Sequence, residues 1–446
     1  MDSDPTVSRR DFLAASSIAL GAGALAAPGT PASAASEEAS RKLAVDGGAK
    51  AVAERAPKLV RWGGPEKERL DAMLGQDSLF YWKGPQTSLL VERFRKVCPL
   101  PHVMTCSSGT AALHIAAAAA EVAPGDEVIT SPITDVGTVI GVLFQQAVPV
   151  FADLVADTAN LDPADVERKI TPKTRAIIAV HLAGNPCDLD GLKALADRHK
   201  LVLIEDCAQA WGAHRGGRPI GTEGDLACFS LQNSKHVTCG DGGVVATADP
   251  KLGPRLQPFG DKGMDRVGGG GLFEMFATNY RMSEPQAAVA AAQLERVESI
   301  AATRSRLGAI LNEELAGVEG IIPPAVRAED RCTYWFYMMR LRPERLRCDR
   351  AEFVKALIAE GAPASAGYIP VPLYGNPVFQ RHGFFAGRWP VKEMGLTTMD
   401  YSQVSCPEAE SILRTCVRLT IHEGMGEPYI RSVAAAVRKV AAHYAA

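Results

Sequence analysis

Long runs of a single residue type are absent from this 446-residue sequence, and no internal repeat is present. Lysine and arginine form no extended run and the formal charge is only −3, so nothing indicates a nucleic-acid partner or an anionic membrane surface. The apolar residues make up 47% of the chain, which suffices for one large core or two moderate cores. These features predict a globular protein whose partner is a small molecule.

The ten cysteines lack the spacing of a metal site or a redox motif. They include no C-x-x-C pair, and no set has the spacing of zinc ligands. Several, such as Cys207 and Cys228, lie in or beside apolar runs, where cysteine packs as a small hydrophobic residue. We therefore expect no metal site and mostly free, buried thiols.

The N-terminus has the features of a twin-arginine export signal. The pair Arg9-Arg10 precedes an apolar stretch ending near Ala27, and an A-x-A cleavage pattern follows at residues 32–34. The apolar stretch is shorter than the ~20 residues that span a bilayer. We expect cleavage after about Ala34, export to the periplasm and no stable membrane anchor; the alternative is an ordinary amphipathic helix.

Between residues 105 and 250, short apolar runs alternate with helical stretches, which is typical of a parallel sheet covered on both faces. This pattern predicts an α/β fold, with a large domain over residues 48–315 that contains a mainly parallel sheet. The predicted strands are residues 127–130, 148–152, 176–181, 201–205, 226–231 and 243–247, and the predicted helices are residues 109–122 and 190–199.

The rest of the chain predicts a smaller C-terminal α+β domain over residues 316–446. One long helix from Glu284 to Leu315, with Ser283 as its N-cap, is expected to end the large domain. Residues 35–47 are expected to be a flexible lead-in after the signal, and Gly268 to Gly271 a loop. In the small domain the predicted strands are residues 334–341 and 417–421, and the predicted helices are residues 350–360 and 428–443.

Two strand ends carry chemically distinctive side chains. The apolar strand before Asp206 and Gln209 ends where ligands bind in open α/β sheets, and an aspartate there can pair with the protonated ring nitrogen of pyridoxal phosphate (PLP). The alternative is that Asp206 caps the next helix. Lys235 follows the next strand, and a lysine with a lowered pKa can form a Schiff base with an aldehyde. An isolated lysine after a strand is otherwise a solvated charge.

A third motif predicts an anion site. Residues Ser107, Ser108, Gly109 and Thr110 form a small-residue turn that opens an alanine-rich helix. Backbone amides at a helix start bind phosphate, and glycine permits its close approach. Ser230 can add a hydroxyl group. The alternative is a simple helix cap.

Together these motifs resemble the DegT/DnrJ/EryC1/StrS aminotransferase family of fold-type I PLP enzymes, over roughly residues 48–446. The resemblance is carried by residues 107–113 (SSGTAAL), 205–213 (EDCAQAWGA), 229–235 (FSLQNSK), 240–243 (GDGG) and 279–288 (NYRMSEPQAA). It implies the fold-type I architecture, PLP as cofactor and a homodimer with shared active sites.

The resemblance also implies roles for individual residues. Lys235 matches the lysine that binds the cofactor covalently, Asp206 matches the partner of the ring nitrogen, and Gln209 matches the residue at the ring hydroxyl. The phosphate contacts would come from Gly109, Thr110 and Ser230, beside Ser108. Asn279 matches a residue that reaches the phosphate of the neighbouring subunit.

Two further positions bear on the site. Asp135 stands where the family usually has an aromatic residue that stacks on the cofactor, which leaves the ring position and the substrate class open. His181 matches the family pattern and is expected either near the cofactor or as buried filler.

The implied reaction transfers an amino group from glutamate or glutamine to a keto-sugar or cyclitol-like ketone. One alternative is dehydration at a sugar carbon, but the family members that do this have histidine in place of Lys235, although His236 is adjacent here. The other is a noncatalytic binding or regulatory protein on the same fold. The intact Lys235, Asp206 and Gln209 argue against this second alternative.

Overall fold

The structure of the protein is a computed structural model that describes residues 42–269, 273 and 275–446. Its helices are α1 (Gly64–Leu74), α2 (Pro85–Val97), α3 (Gly109–Ala119), α4 (Gly137–Phe144), α5 (Pro163–Lys169), α6 (Leu189–His199), α7 (Gly253–Gly260), α8 (Glu284–Leu294), α9 (Val297–Leu315), α10 (Arg350–Ala359), α11 (Pro377–Gln380), α12 (Pro390–Glu393), α13 (Pro407–Thr415) and α14 (Glu427–Tyr444). Single 3-10 turns lie at Ala44–Asp46, Leu182–Gly184, Pro343–Arg345, Leu373–Gly375 and Tyr401–Gln403.

The strands form a large sheet, a small sheet and one short hairpin. They are β1 (His102–Cys106), β2 (Glu127–Thr130), β3 (Val148–Phe151), β4 (Thr174–Val180), β5 (Val202–Asp206), β6 (His214–Arg215), β7 (Arg218–Pro219), β8 (Leu226–Ser230), β9 (Gly243–Thr247), β10 (Ile321–Ile322), β11 (Tyr337–Leu341), β12 (Ala364–Ser365) and β13 (Cys416–Leu419).

The large sheet has the strand order β1-β9-β8-β5-β4-β2-β3. The pairs from β3 to β8 are parallel, whereas β9 is antiparallel to both β8 and β1. Strands β3, β8 and β9 are fully buried and β2, β4 and β5 nearly so, because helices cover both faces of the sheet. The mainly parallel α/β sheet expected from the sequence is confirmed; β1 is an additional strand that the sequence did not indicate.

The small sheet has the order β10-β11-β13-β12 and is antiparallel. One face packs on α9, α10 and α14, with Val417 and Leu419 fully buried there. The opposite face turns towards the large sheet, where Phe336 and Met338 join a core with residues of β2 to β5. The small sheet therefore forms a wall facing the large one.

The long helix expected from Glu284 to Leu315 is two helices, α8 and α9, which are separated at Glu295 and Arg296. The side chain of Arg296 reaches back to Glu66 and to the carbonyl of Arg61 at the break. The residues of α8 pack in the core beneath the large sheet, whereas Leu307, Leu311 and Leu315 of α9 pack in the core of the small sheet. The first turn of α9 still packs in the core of α8, through Val297 and Ile300, and only the later turns enter the core of the small sheet. The prediction of one helix was wrong at Glu295 and Arg296, where the side chain of Arg296 turns back to contacts far away in the sequence. The N-cap expected at Ser283 is present and forms a capping box with Gln286.

The described end of the predicted lead-in is packed against the protein. Leu43 is fully buried in the core of the small sheet, and the Ala44 and Ala51 amides donate to the Glu360 carboxylate at 2.7 and 2.8 Å. Residues 42–47 of the segment expected to be flexible, 35–47, are therefore packed in the structure. The sequence did not predict this, because the contact with Glu360 is more than 300 positions away. The predicted export signal (1–34), residues 35–41 and part of the predicted Gly268–Gly271 loop lie outside the described residues.

All ten cysteines are free, and only Cys239 and Cys348 are partly accessible, which confirms the expectation of mostly buried thiols. Among the helices of the described residues, none combines the length and apolar character that a bilayer crossing requires.

Candidate active site

The two chemically distinctive motifs meet at one edge of the large sheet. Strands β5 and β8 are parallel neighbours, with Asp206 in register with Cys228. Asp206 ends β5, and Ser230 ends β8 five residues before Lys235. The carboxyl ends of parallel strands face the same crevice, so the acid and the amine belong to one site.

Asp206 is a buried carboxylate with only neutral hydrogen-bond donors. Its Oδ2 accepts from Thr138 Oγ1 at 2.9 Å, and its Oδ1 accepts from the Ala208 amide at 3.1 Å. Burial raises the pKa of Asp206, although these hydrogen bonds and Lys235 oppose the rise. No arginine, lysine or histidine in the described residues lies within salt-bridge distance of Asp206. A cationic ring nitrogen would supply the missing counter-charge.

Lys235 is held in an apolar pocket and is 8% exposed. Its Nζ lies 3.9 Å from the centroid of the Trp335 ring. Burial lowers the pKa of Lys235, while the charges of Asp206 and Asp135 oppose this change. Arg61 Nη1 donates to the Lys235 carbonyl at 2.7 Å and fixes the backbone. A desolvated amine with a lowered pKa is suited to attack an aldehyde.

The residues predicted to bind a phosphate, here called the cradle, come together at the start of α3: Ser108, Gly109, Thr110 and Ser230. Ser108 caps the helix through its Oγ, which accepts from the Ala111 amide at 3.0 Å. A Cβ added at Gly109 would lie 2.7 Å from Ser230 Cβ, so this glycine allows the helix start to reach the end of β8. A Cβ added at Gly137 would lie 2.5 Å from the Thr110 hydroxyl, so this second glycine leaves room for that side chain. The cradle, Asp206 and Lys235 together fit the phosphate, ring nitrogen and aldehyde of PLP.

Gln209 links the large sheet to the opposite wall. Its Oε1 accepts from the Ala183 amide at 2.9 Å, and its Nε2 donates to Tyr368 Oη at 3.3 Å. The amide is thus oriented by both walls, and the role implied for it at the cofactor ring stays a prediction.

Three site residues were missed by the sequence analysis: Thr138, Trp335 and Tyr368. Residues Thr333 and Trp335 cross from the small sheet to the large domain, where their amides donate to the carbonyls of Gly184 and Ala183. The indole Nε1 of Trp335 donates to the Ser234 carbonyl at 2.7 Å and holds the ring over Lys235. No local pattern marks these contacts, because they join residues about 100 to 150 positions apart.

His181 is fully buried and both of its ring nitrogens have partners within the protein. Nδ1 accepts from the Cys187 amide at 3.0 Å, so the proton lies on Nε2, which donates to Glu205 Oε2 at 3.0 Å. Glu205 also accepts from the amides of Gly221 and Gly224, both at 2.6 Å. These contacts favour the alternative that His181 is a buried structural residue, because its partner is Glu205. Glu205 neighbours Asp206 in sequence and points to the other face of the sheet.

Asp135 is exposed at the rim of the site. Its Oδ1 accepts from the Gly137 amide at 2.8 Å at the start of α4. Burial is the largest influence on both neighbours: it lowers the pKa of Lys235 and raises the pKa of Tyr368. The negative charge of Asp135 opposes the first change and adds to the second. Asp135 therefore places a carboxylate beside the site, and its contact with the cofactor stays a prediction.

Asn279 is exposed, although the adjacent Tyr280 carbonyl accepts from the Ser107 amide at 2.7 Å. The Asn279 Oδ1 accepts from Arg281 Nε at 2.8 Å, and the Asn279 backbone pairs with Asp261. The described residues give Asn279 no contact with Gly109, Thr110 or Ser230. Its predicted contact with a neighbouring subunit stays a prediction.

A search of protein-family models matches residues 64–438 to the DegT/DnrJ/EryC1/StrS aminotransferase family. One relative is the dTDP-3-amino-3,4,6-trideoxy-alpha-D-glucose transaminase of Streptomyces venezuelae, which is 36% identical over 81% of this chain and 89% of its own length. Another is the L-glutamine:2-deoxy-scyllo-inosose aminotransferase of Streptomyces kanamyceticus, which is 37% identical over 76% of this chain and 83% of its own length.

A solved structure shares the fold over nearly its whole length. It is the crystal structure of Streptomyces venezuelae DesV in complex with a ketimine intermediate, with a TM-score of 0.73 and 33% identity. The similarity covers 84% of this chain and 94% of that protein.

Proposed function

The chain belongs to the DegT/DnrJ/EryC1/StrS aminotransferase family and is a PLP-dependent aminotransferase, and we propose that it transfers an amino group from glutamate or glutamine to a keto-sugar or cyclitol ketone. The observation that carries the proposal is the convergence of Lys235, Asp206 and the α3 cradle at one sheet edge. The names of the two relatives supply the acceptor class, and one of them supplies glutamine as donor.

Each residue of the site has a task in this reaction. PLP, when bound, supplies an electron sink for the carbon that loses its proton. Asp206 holds the ring nitrogen protonated, and the cradle holds the phosphate through the amides and hydroxyls of Gly109, Thr110 and Ser230. Lys235 anchors the cofactor and then, as a free amine, moves the proton at the reacting carbon. Trp335 limits the access of water to that amine.

The test is a pair of half-reactions followed by visible absorbance. The purified protein is mixed with L-glutamate or L-glutamine, and we expect the absorbance of the lysine-bound cofactor to convert to that of its amine form. Adding a cyclitol ketone or a nucleotide-linked keto-sugar should then restore the first spectrum. A protein that binds PLP but reacts with neither amino acid would contradict the proposed donor, and failure of every ketone to restore the spectrum would contradict the acceptor class.

His236 gives no support to the alternative of dehydration at a sugar carbon. It is buried, and its Nε2 is bonded to the carbonyl of Thr333 at 3.0 Å. Burial lowers the pKa of His236 well below its usual value. The adjacent Lys235, not His236, lies in the apolar pocket beneath Trp335.

We also propose a homodimer in which Asn279 completes the cradle of the partner. Its support is an apolar surface in the same stretch of chain, since Phe273 is 62% exposed and Phe276 is fully exposed. Sedimentation should give the mass of two chains. Mixing the inactive variants Lys235→Ala and Asn279→Asp under exchange conditions should restore part of the activity, because one site of the mixed dimer is intact; no restoration would contradict shared sites.

Export by the twin-arginine route is a proposal that rests on the sequence of residues 1–34. Cofactor loading before export suits this route, and it requires an acceptor outside the cytoplasm. Changing Arg9 and Arg10 to lysine should leave the protein in the cytoplasmic fraction of a fractionated cell. Continued export of this variant would contradict the route.

A further inference from the structure

Arg418 of β13 faces the site from the small sheet. Its neighbours Val417 and Leu419 are buried in the core on the far side of that sheet. Side chains alternate between the two faces of a strand, so Arg418 points the other way, as does its cross-strand partner Met338, which packs against the large sheet. The guanidinium therefore projects towards the crevice between the two sheets.

Two contacts join Arg418 to the cofactor site. Its Cζ lies 5.4 Å from the centroid of the Phe336 ring, which lies 5.1 Å from that of Tyr368. The hydroxyl of Tyr368 lies 3.3 Å from Gln209 Nε2. Trp335, which covers Lys235, is adjacent to Phe336 in sequence. Arg418 is thus placed beside the side chains that line the site opposite Asp206.

Arg418 has no ion-pair or hydrogen-bond partner among the described residues, and its Nε is buried without one. Arginine 340, on the neighbouring strand, shows the usual arrangement: its guanidinium donates to Glu408 at 2.7 Å and to the Ala156 carbonyl at 3.0 Å. Arg304 is likewise paired with Glu423 at 2.7 Å. A half-buried guanidinium without an acceptor is costly, and an external oxyanion would satisfy it.

We propose that Arg418 binds an oxyanion of a substrate, namely the carboxylate of the amino-acid donor. The planar guanidinium matches a carboxylate in bidentate geometry, and the Phe336 ring holds the cation in position. A phosphate of a nucleotide-linked acceptor offers the same chemistry as a second source. The inference rests on the proposed function, since it assigns a binding residue for that reaction.

The test uses the cofactor-loaded enzyme and the variants Arg418→Met and Arg418→Lys. Arg414→Met is the matched control, because Arg414 is exposed and has only a 3.9 Å contact with Glu410. The donor half-reaction is measured over a range of L-glutamate concentrations, which separates the half-saturating concentration from the saturating rate. Calorimetry gives the dissociation constants of glutarate and of inorganic pyrophosphate, which bind without reacting.

We expect Arg418→Met to raise both the half-saturating glutamate concentration and the glutarate dissociation constant by at least about tenfold. The saturating rate should stay within about threefold, because Arg418 contacts no reacting atom. The two constants of Arg418→Lys should lie between those of Arg418→Met and the unmodified enzyme, since lysine keeps the charge but lacks the planar guanidinium. Arg414→Met should match the unmodified enzyme. Weaker pyrophosphate binding alone would assign the oxyanion to the acceptor.

Unchanged constants for all three ligands would overturn the proposal. If Arg418→Met does not load the cofactor, an Arg418→Lys variant with unchanged glutarate and pyrophosphate binding overturns it as well. An unmodified enzyme that reacts with no amino acid contradicts the proposed donor, whereas a reactive enzyme insensitive to Arg418 contradicts only this inference.

Discussion

The two walls of the site differ in how the chain builds them. On the large-sheet wall, Asp206 is the last residue of β5 and Lys235 lies five residues beyond the end of β8, so the local sequence already marks them. On the small-sheet wall, Trp335, Tyr368 and Arg418 come from three separate segments that meet only in the folded protein. The chemistry common to the family thus lies in local motifs, whereas the side chains that surround the substrate depend on long-range packing. Substitutions on the two walls should therefore have different signatures.

The largest effect is expected from Lys235→Ala, on the large-sheet wall. This change removes the side chain proposed as both the covalent anchor and the base, and should lower the rate of the donor half-reaction by about 10³-fold or more. Stopped-flow absorbance measures the rate, and Lys355→Ala, an exposed lysine on α10, is the control. A Lys235→Ala variant that keeps the lysine-bound chromophore would contradict the assignment.

Asp206→Asn should have the second largest effect on the rate, and a substitution of its neighbour Glu205 provides an internal control. Loss of the charge opposite the ring nitrogen should slow the half-reaction by about 10²- to 10³-fold. Glu205→Gln should instead lower the free energy of unfolding by roughly 2–3 kcal/mol, because it disrupts charge-assisted hydrogen bonds from His181 and from backbone amides. Rate and urea unfolding are measured on both variants; a rate loss in Glu205→Gln as large as in Asp206→Asn would break the distinction between the two faces of β5.

The same two carboxylates should give the cofactor-free protein opposite pH dependences of stability. Burial raises the pKa of Asp206, so folding binds its proton more tightly and stability falls as pH rises from ~3.9 through the raised value. Burial alone would raise the pKa of Glu205, but the hydrogen bonds from His181 and the backbone amides outweigh burial and lower this pKa. The contribution of Glu205 to folding stability is therefore complete above pH ~4.3 and is lost on acidification. Asp206→Asn should remove the first slope and Glu205→Gln the second, as read from urea midpoints at a series of pH values; a slope unchanged by its own substitution would contradict the assignment.

The sequence predicted the elements that local signals control. The strands leading to Asp206 and Lys235, and the helix that starts at Gly109, lie within a few residues of their predicted places. The break at Glu295 could not be predicted, because helical periodicity continues through it and the contacts of Arg296 at the break reach Arg61 and Glu66, about 230 positions away. The position of Trp335 over Lys235 could not be predicted either. The predicted strand covered residues 334–341, whereas the observed strand starts at Tyr337 and leaves Trp335 in the preceding segment.

Trp335→Leu tests the small-sheet wall with a moderate expected effect. Leucine keeps an apolar group against Lys235 but lacks the ring face that stabilises the ammonium, so the pKa of Lys235 should fall further below its usual value. The readout is the pH dependence of the rate at which cofactor-free protein takes up PLP. Trp335→Phe retains a ring and should shift less. An inflection that stays in place in Trp335→Leu would show that the contact does not influence the amine.

The smallest effect is expected from Tyr368→Phe, which removes one hydroxyl from the small-sheet wall. Burial raises the pKa of Tyr368, so the hydroxyl is neutral, and its hydrogen bond with Gln209 Nε2 is long at 3.3 Å. A neutral bond contributes about 0.5–1.5 kcal/mol, which corresponds to about a two- to tenfold weaker binding of PLP. The Ala183 amide still holds Gln209 Oε1, so the saturating rate should barely change.

Tyr374→Phe is the control for this last substitution. The Tyr374 hydroxyl accepts from the Cys406 amide and donates to Glu410, so removing it should alter only the stability of the protein. Equilibrium dialysis of PLP and the donor half-reaction give the two constants for each variant. A loss of rate of about 10²-fold in Tyr368→Phe would exceed what one neutral hydrogen bond can supply. The hydroxyl would then contact the reacting group itself, and the small-sheet wall would share in the chemistry that the large-sheet wall otherwise performs alone.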